Sequence, residues 1–152
     1  MSVIRRHLAA IRRSPDEPSA LASALARVGD RWTLLIVDAL LAGPARFGQL
    51  AEAVEGIAPN TLSHRLRNLE ADGLVLSLAY SQHPPRNEYR LSGPGAELAG
   101  ALRLLAAWGA RRTGSSEAFE HRECGTPLEA RWFCPTCDRP VADAEGADLP
   151  FA

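Results

Sequence analysis

Two sets of side chains in this 152-residue chain have types and spacings suited to chemistry. The first lies between Pro59 and Ala71, where Asn60, Thr61, Ser63, His64, Arg67 and Asn68 offer amides, hydroxyls, an imidazole and a guanidinium. Such groups match the edges of base pairs: a guanidinium forks onto guanine, a carboxamide onto adenine, a hydroxyl onto either. The second set is in the tail, His121-x2-Cys124, then nine residues, then Cys134-x2-Cys137. Two pairs at that spacing suit a zinc ribbon, in which each pair closes a tight turn and offers two ligands to one zinc ion per chain. Cys134-Pro-Thr-Cys137 is the stronger half, because Glu120 and Glu123 compete with His121 for the fourth place. Two other readings stay open: a degenerate ribbon that persists without metal as a small hairpin, and a Cys134–Cys137 redox pair. An extracellular disulfide framework is disfavoured by the odd cysteine count and by the absence of an export signal.

The first set needs a helix to present it. Leu62, Leu66 and Leu69 fall within about 60° of arc at helical spacing, so they face a core. Asn60, His64, Arg67 and Asn68 then project to the other side, flanked by Thr61 and Ser63. Pro59 suits the helix start, where its missing N–H has no intrahelical partner to lose. Ahead of it Phe47, Leu50 and Val54 mark a helix ending at Gly56, and Gly73 stops the second helix. That order is a helix-turn-helix.

Two strand-like runs follow, Leu74 to Tyr80 and Asn87 to Leu91, around the loop SQHPPR. Pro84 and Pro85 should stiffen this loop and keep it out of a sheet. His83, Arg86 and Arg90 make the hairpin cationic, which suits phosphate or a minor groove.

The remaining elements assemble this unit. Leu21 to Val28 reads as a short helix. Arg31 to Leu41 is apolar nearly all round and should be the buried central helix, capped by Asp30 and ended by Gly43-Pro44. Ser92 should cap a long helix from Pro94 to about Arg112, with Leu98, Leu102, Leu105 and Trp108 toward its own domain and Leu104, Ala101 and Ala107 elsewhere. A terminal helix apolar on more than one face calls for a second copy of the chain. The expected homodimer interface is Leu104 and Trp108, covered in part by Ile4, Leu8 and Ile11 of an N-terminal arm. The arm is too short and too weakly charged to favour a membrane surface instead.

All 17 basic residues are arginines. Residues 1–112 hold 14 Arg against 10 Asp and Glu, whereas residues 113–152 hold 3 against 8. The near-neutral total therefore hides a basic body, suited to phosphate, and an acidic tail that ends in the solvated run VADAEGADLPFA. No apolar run reaches the roughly 20 residues that span a bilayer, and the opening MSVIRRHLAAIRR is no secretory signal. A cytoplasmic, nucleoid-associated protein is expected. An enzyme is not, because the chain offers no general base beside the cysteines, no glycine-rich phosphate loop and no Ser-His-Asp arrangement.

The runs VGDRWTLLIVDALLAGPARFGQL, GIAPNTLSHRLRNLEADGLV and PPRNEYRLSGPGAEL together resemble the HxlR family of bacterial winged-helix transcription regulators, within the MarR-like superfamily. The resemblance spans roughly residues 20 to 112. It implies a homodimeric repressor or activator on double-stranded DNA, with terminal helices at the dimer interface. It also places Asn60, Thr61, Ser63, His64, Arg65 and Arg67 on the recognition helix and Arg86 in the wing. Two features depart from the family. Members that sense oxidants carry a cysteine near the N-terminus, and here the first cysteine is Cys124. A basic residue usually follows the Asp-Gly-Leu after the recognition helix, and here Leu76 and Ser77 stand there.

The expected fold is mainly α with a small β-hairpin wing (α+β): a winged helix-turn-helix with a short C-terminal zinc-ribbon-like hairpin. The expected layout is an arm at 1–18, the DNA-binding and dimerisation domain at 19–112 and the acidic Cys/His segment at 113–152. The alternative function is an adaptor of the transcription machinery, since archaeal general transcription factor E also combines a winged helix with a ribbon. No residue pattern names an effector.

Overall fold

The structure, a computed structural model, describes residues 18–82, 85–114, 120–121 and 123–142. The chain falls into two units, Ser19–Glu117 and a second that joins Met1–Pro18 to the tail, Ala118–Ala152. Ile4, Leu8, Ile11 and His83 lie outside the described residues.

The larger unit begins with two capped helices. Helix α1 (Ala20–Val28) starts where Ser19 Oγ accepts the Ala22 amide at 3.0 Å. Helix α2 (Arg31–Leu41) starts where Asp30 Oδ1 accepts the amides of Trp32 and Thr33 at 3.0 and 3.2 Å, satisfying two donors that a helix N-terminus leaves orphaned. Ile36, Val37 and Leu40 of α2 are buried. Contrary to the expectation of burial all round, Leu35 is 46% exposed, so α2 is covered on one side only.

A two-residue strand β1 (Ala45–Arg46) leads into α3 (Phe47–Ala53), whose first turn is tied back by the Arg46 amide donating to Gln49 Oε1 at 2.8 Å. Leu50 is buried, and Val54 and Ile57 bury themselves in the turn that follows. Gly56, at φ 80°, takes the left-handed conformation this turn requires. Helix α4 (Pro59–Ala71) then packs Leu62, Leu66 and Leu69, each almost fully buried, into the same core. Burying each such side chain contributes roughly 1.5–3 kcal/mol.

The wing is longer than its sequence suggests. Strands β2 (Val75–Gln82) and β3 (Pro85–Leu91) pair antiparallel from Val75↔Leu91 to Gln82↔Pro85, so Ser81, Gln82, Pro85 and Arg86 join the sheet instead of looping out. Pro85 is tolerated because it opens its strand, and a register shift between Ala79 and Ser81 takes up the irregularity. Strand β1 pairs with the other edge of β3, giving the order β1-β3-β2. Tyr89 and Leu91 pack against the core from one face of β3.

The expected single C-terminal helix is two. Ser92 caps only α5 (Gly93–Ala96), its Oγ accepting the Gly95 amide at 3.1 Å and donating to Gly73 O at 2.6 Å. A Cβ at Gly95 would lie 2.0 Å from Leu74 O, so this turn is pressed against the root of the wing and accepts only glycine. Helix α6 (Ala99–Thr113) starts afresh. Leu98 and Leu102 pack on the core, but Leu105 and Trp108 are 51% and 53% exposed rather than turned to their own domain. Only the first turn of α6 reaches the core.

In the tail, β4 (Trp132–Cys134) and β5 (Arg139–Val141) form an antiparallel hairpin, and a bridge between Glu120 and Pro127 closes a second turn.

One further link joins α2 to α4: Arg65 Nη2 donates to Asp30 Oδ2 at 3.1 Å. Both side chains are about one-third exposed, so the pair itself is worth under about 1 kcal/mol. Asp30→Ala, which also removes the cap, is expected to lower stability by about 1–2 kcal/mol in urea denaturation. Leu66→Ala should cost more, about 2–5 kcal/mol. Equal stability of Asp30→Ala and wild type would show that neither role of this carboxylate matters.

Candidate nucleic-acid interface

Because the leucine stripe fixes the rotation of α4, the opposite side of the helix is free. Asn60, His64, Arg67 and Asn68 are exposed there, and Thr61 and Ser63 are half-buried at the margins. Asn68 Nδ2 lies 3.3 Å from His64 Nε2, one turn away, so these two side chains form a joined polar surface. The face thus carries a guanidinium, two carboxamides and an imidazole without an acidic side chain among them.

Arg65 stands apart from that group. It is half-buried, its guanidinium faces Asp30, and its Nε is buried without a hydrogen-bond partner among the described residues. Arg65, expected with the base-reading residues, is thus held by Asp30 in this structure rather than placed on the free face. The physical reason is angular: Arg65 sits about 60° from the centre of the leucine stripe, so it emerges beside the core rather than opposite it. Asp30, which sequence reasoning treated as a helix cap alone, is the residue that was missed. Behind α4 these two side chains line a cleft of about 260 Å³ with Thr33, Leu25 and Asn68.

The wing supplies a second surface. Alternation along β3 puts Tyr89 and Leu91 toward the core and leaves Arg86 and Arg90 exposed on the other face, on either side of half-buried Glu88. Across the hairpin Leu76 opposes Arg90 and Leu78 opposes Glu88, with both leucines more than 40% exposed. Of the two residues in the stretch after Asp-Gly-Leu, Leu76 is exposed on the outer face and Ser77 is half-buried. Burial, and then the Glu70 carboxylate, push the Tyr89 hydroxyl above its ordinary range, whereas a hydrogen bond with Asn87 acts the other way. Tyr89 therefore stays a neutral donor at the seam between wing and α4.

The tail brings its candidate ligands together in pairs. His121 Nδ1 lies 3.2 Å from Cys124 Sγ, which lies 3.2 Å from Thr126 Oγ1. Hydrogen bonds from the Thr126 hydroxyl and amide hold the Cys124 thiol below its usual range. Bonds from the Cys137 backbone and side chain, and then the Thr136 amide, do the same for Cys134. All three cysteines are free thiols. Among the described residues no three His, Cys, Asp or Glu side chains converge as one metal-binding group.

Comparison with known proteins bears on the larger unit. Residues 27–117 match the family described as HxlR-like helix-turn-helix. The chain is 40% identical over 129 residues to an uncharacterised HTH-type transcriptional regulator of Mycobacterium tuberculosis, covering 82% of this chain and 81% of that one. It is 40% identical over 83 residues to the uncharacterised HTH-type transcriptional regulator YtcD of Bacillus subtilis, covering 55% and 66%. Among solved structures, the candidate transcription factor PA1607 superposes with a TM-score of 0.72 at 27% identity, covering 86% of this chain and 93% of that one. The redox regulator HypR in its reduced form superposes at 0.58 with 30% identity, covering 65% and 100%. Among the described residues no helix is long and apolar enough to cross a membrane. With a helix-turn-helix whose polar face is free and a family match over most of its length, this chain belongs to the HxlR-like helix-turn-helix family of transcriptional regulators.

Proposed function

We propose that the chain works as a homodimer that lays α4 of each protomer in a major groove of operator DNA and rests the wing on the adjoining backbone. The observation that carries this reading is the acid-free polar face of α4, with Asn60, His64, Arg67 and Asn68 exposed opposite a fully buried leucine stripe. An adaptor docking another protein through this helix would more often present apolar side chains there.

Dimerisation is supported by the apolar surface the unit leaves uncovered. On α6, which has no buried residue, Leu104, Leu105 and Trp108 are 45%, 51% and 53% exposed. Leu21 and Leu25 of α1 are similarly bare. Exposed apolar side chains in this number on a small domain mark an interface. A two-fold dimer matches two half-sites about one helical turn of DNA apart, near 34 Å. Arg86 and Arg90 supply the sequence-independent phosphate attraction.

Arg67→Ala is expected to weaken operator binding by about 1–3 kcal/mol and to relax preference at one base pair. Arg86→Ala should weaken all sequences alike and reduce the slope of log K against log salt by about one unit. Gel-shift titrations on an operator found by sequencing co-purified genomic DNA measure both. If neither substitution alters binding, the docking geometry is wrong. Light scattering should find a dimer that Trp108→Glu converts to monomer, and a wild-type monomer would remove the two-half-site arrangement.

A further inference from the structure

The tail contains the same local construction twice. In the first turn the amides of Cys124 and Gly125 both donate to His121 O, at 3.2 and 2.8 Å, while the His121 amide donates to Thr126 O at 2.8 Å. Gly125 follows Cys124 with φ 68°. In the second, Cys134 and Cys137 flank the head of the β4–β5 hairpin, and Asp138 follows Cys137 with φ 50°. Asp138 is the non-glycine residue with positive φ among the described residues, a conformation that an aspartate adopts only at some cost. In both turns the paired side chains are three residues apart, and the chain reverses left-handedly just after the second. Each turn thus holds two donor side chains side by side, His121 with Cys124 and Cys134 with Cys137.

Packing does not account for the tail's shape. None of its described residues is buried, and Leu128, Trp132 and Phe133 are 56–60% exposed. Three-residue strands without a core are not self-supporting in water, and elements of this size are held by a staple such as a metal or a disulfide. A Cys134–Cys137 disulfide would staple the second turn alone and leave the His121–Cys124 turn without a staple.

We propose that His121, Cys124, Cys134 and Cys137 bind one zinc(II) ion in a closed tetrahedral site of three thiolates and one imidazole. In the structure the two pairs stand as separate half-sites. Binding draws the two turns together about the Leu128–Arg131 segment, and the metal's affinity supplies the folding energy that side-chain burial does not. Each cysteine gives up its proton on ligation and His121 binds as the neutral ring, so the site carries a net charge of −1. With four protein ligands and no open position, its role is structural. The proposal is independent of how α4 meets DNA.

The full-length chain, purified under reducing conditions, is expected to contain close to one zinc per chain by elemental analysis. Removing zinc and titrating with cobalt(II) should give the intense visible bands of a tetrahedral thiolate site, saturating at one equivalent. His121→Ala should weaken cobalt binding at least tenfold. His121→Cys should restore it with stronger sulfur-to-metal charge transfer, which no merely structural role of the imidazole would produce. Cys124→Ser tests the first turn in the same way, and DNA binding by each variant reports on the folding of the winged unit separately. Less than about a tenth of an equivalent of zinc, with a weak octahedral cobalt spectrum, overturns the proposal. Metal content that survives both His121→Ala and Cys124→Ser also overturns it, because Cys134 and Cys137 would then hold the ion without the first turn.

Discussion

The burial of Leu62, Leu66 and Leu69 is the constraint on which the rest of the larger unit depends. Three side chains at less than 2% exposure, meeting Ile36, Val37 and Leu50, fix both the depth and the rotation of α4. Rotation decides function here: a turn of the helix by one residue, about 100°, would exchange Arg67 and His64 for other residues on the free side. Asp30 adds a finer control. One oxygen caps the start of α2 and the other holds Arg65, so the start of α2 is tied to the middle of α4. The tie is weak in energy and specific in direction, which is what alignment needs.

Much of this architecture was legible in the sequence because it rests on local rules. A leucine stripe at three- and four-residue spacing, an aspartate before an apolar run, and glycine after the last helical turn all act within a few residues of themselves. The misreadings involve partners far along the chain. The angle of Arg65 could be computed from its position, but not that Asp30, 35 residues earlier, would wait beside it. Pro85 reads as a breaker, yet the first position of a strand tolerates proline, and there it pairs with Gln82. The C-terminal helix divides because Gly95 must press on Leu74 O, a contact between segments that no periodicity reveals. The tail's spacing named its four candidate ligands, whereas the repeated left-handed turn became visible only with backbone geometry.

The two units solve the problem of small size differently. Among the described residues the winged unit has one cluster of ten buried apolar residues, drawn from α2, α3 and the turn after it, α4 and β2, so its stability is distributed. The tail has none among its described residues, and a few hydrogen bonds shape its first turn.

Strand β2 lies at the border of its sheet, with Leu76 and Leu78 exposed, and among the described residues nothing pairs with its far side. A straight eight-residue border of that kind is a template onto which another copy could zip, the first step toward insoluble fibres. The register shift between Ala79 and Ser81 interrupts the repeat of amides and carbonyls halfway along. A stray strand could follow only the first few rungs before losing step. The register shift thereby breaks the regular edge that such zipping would need.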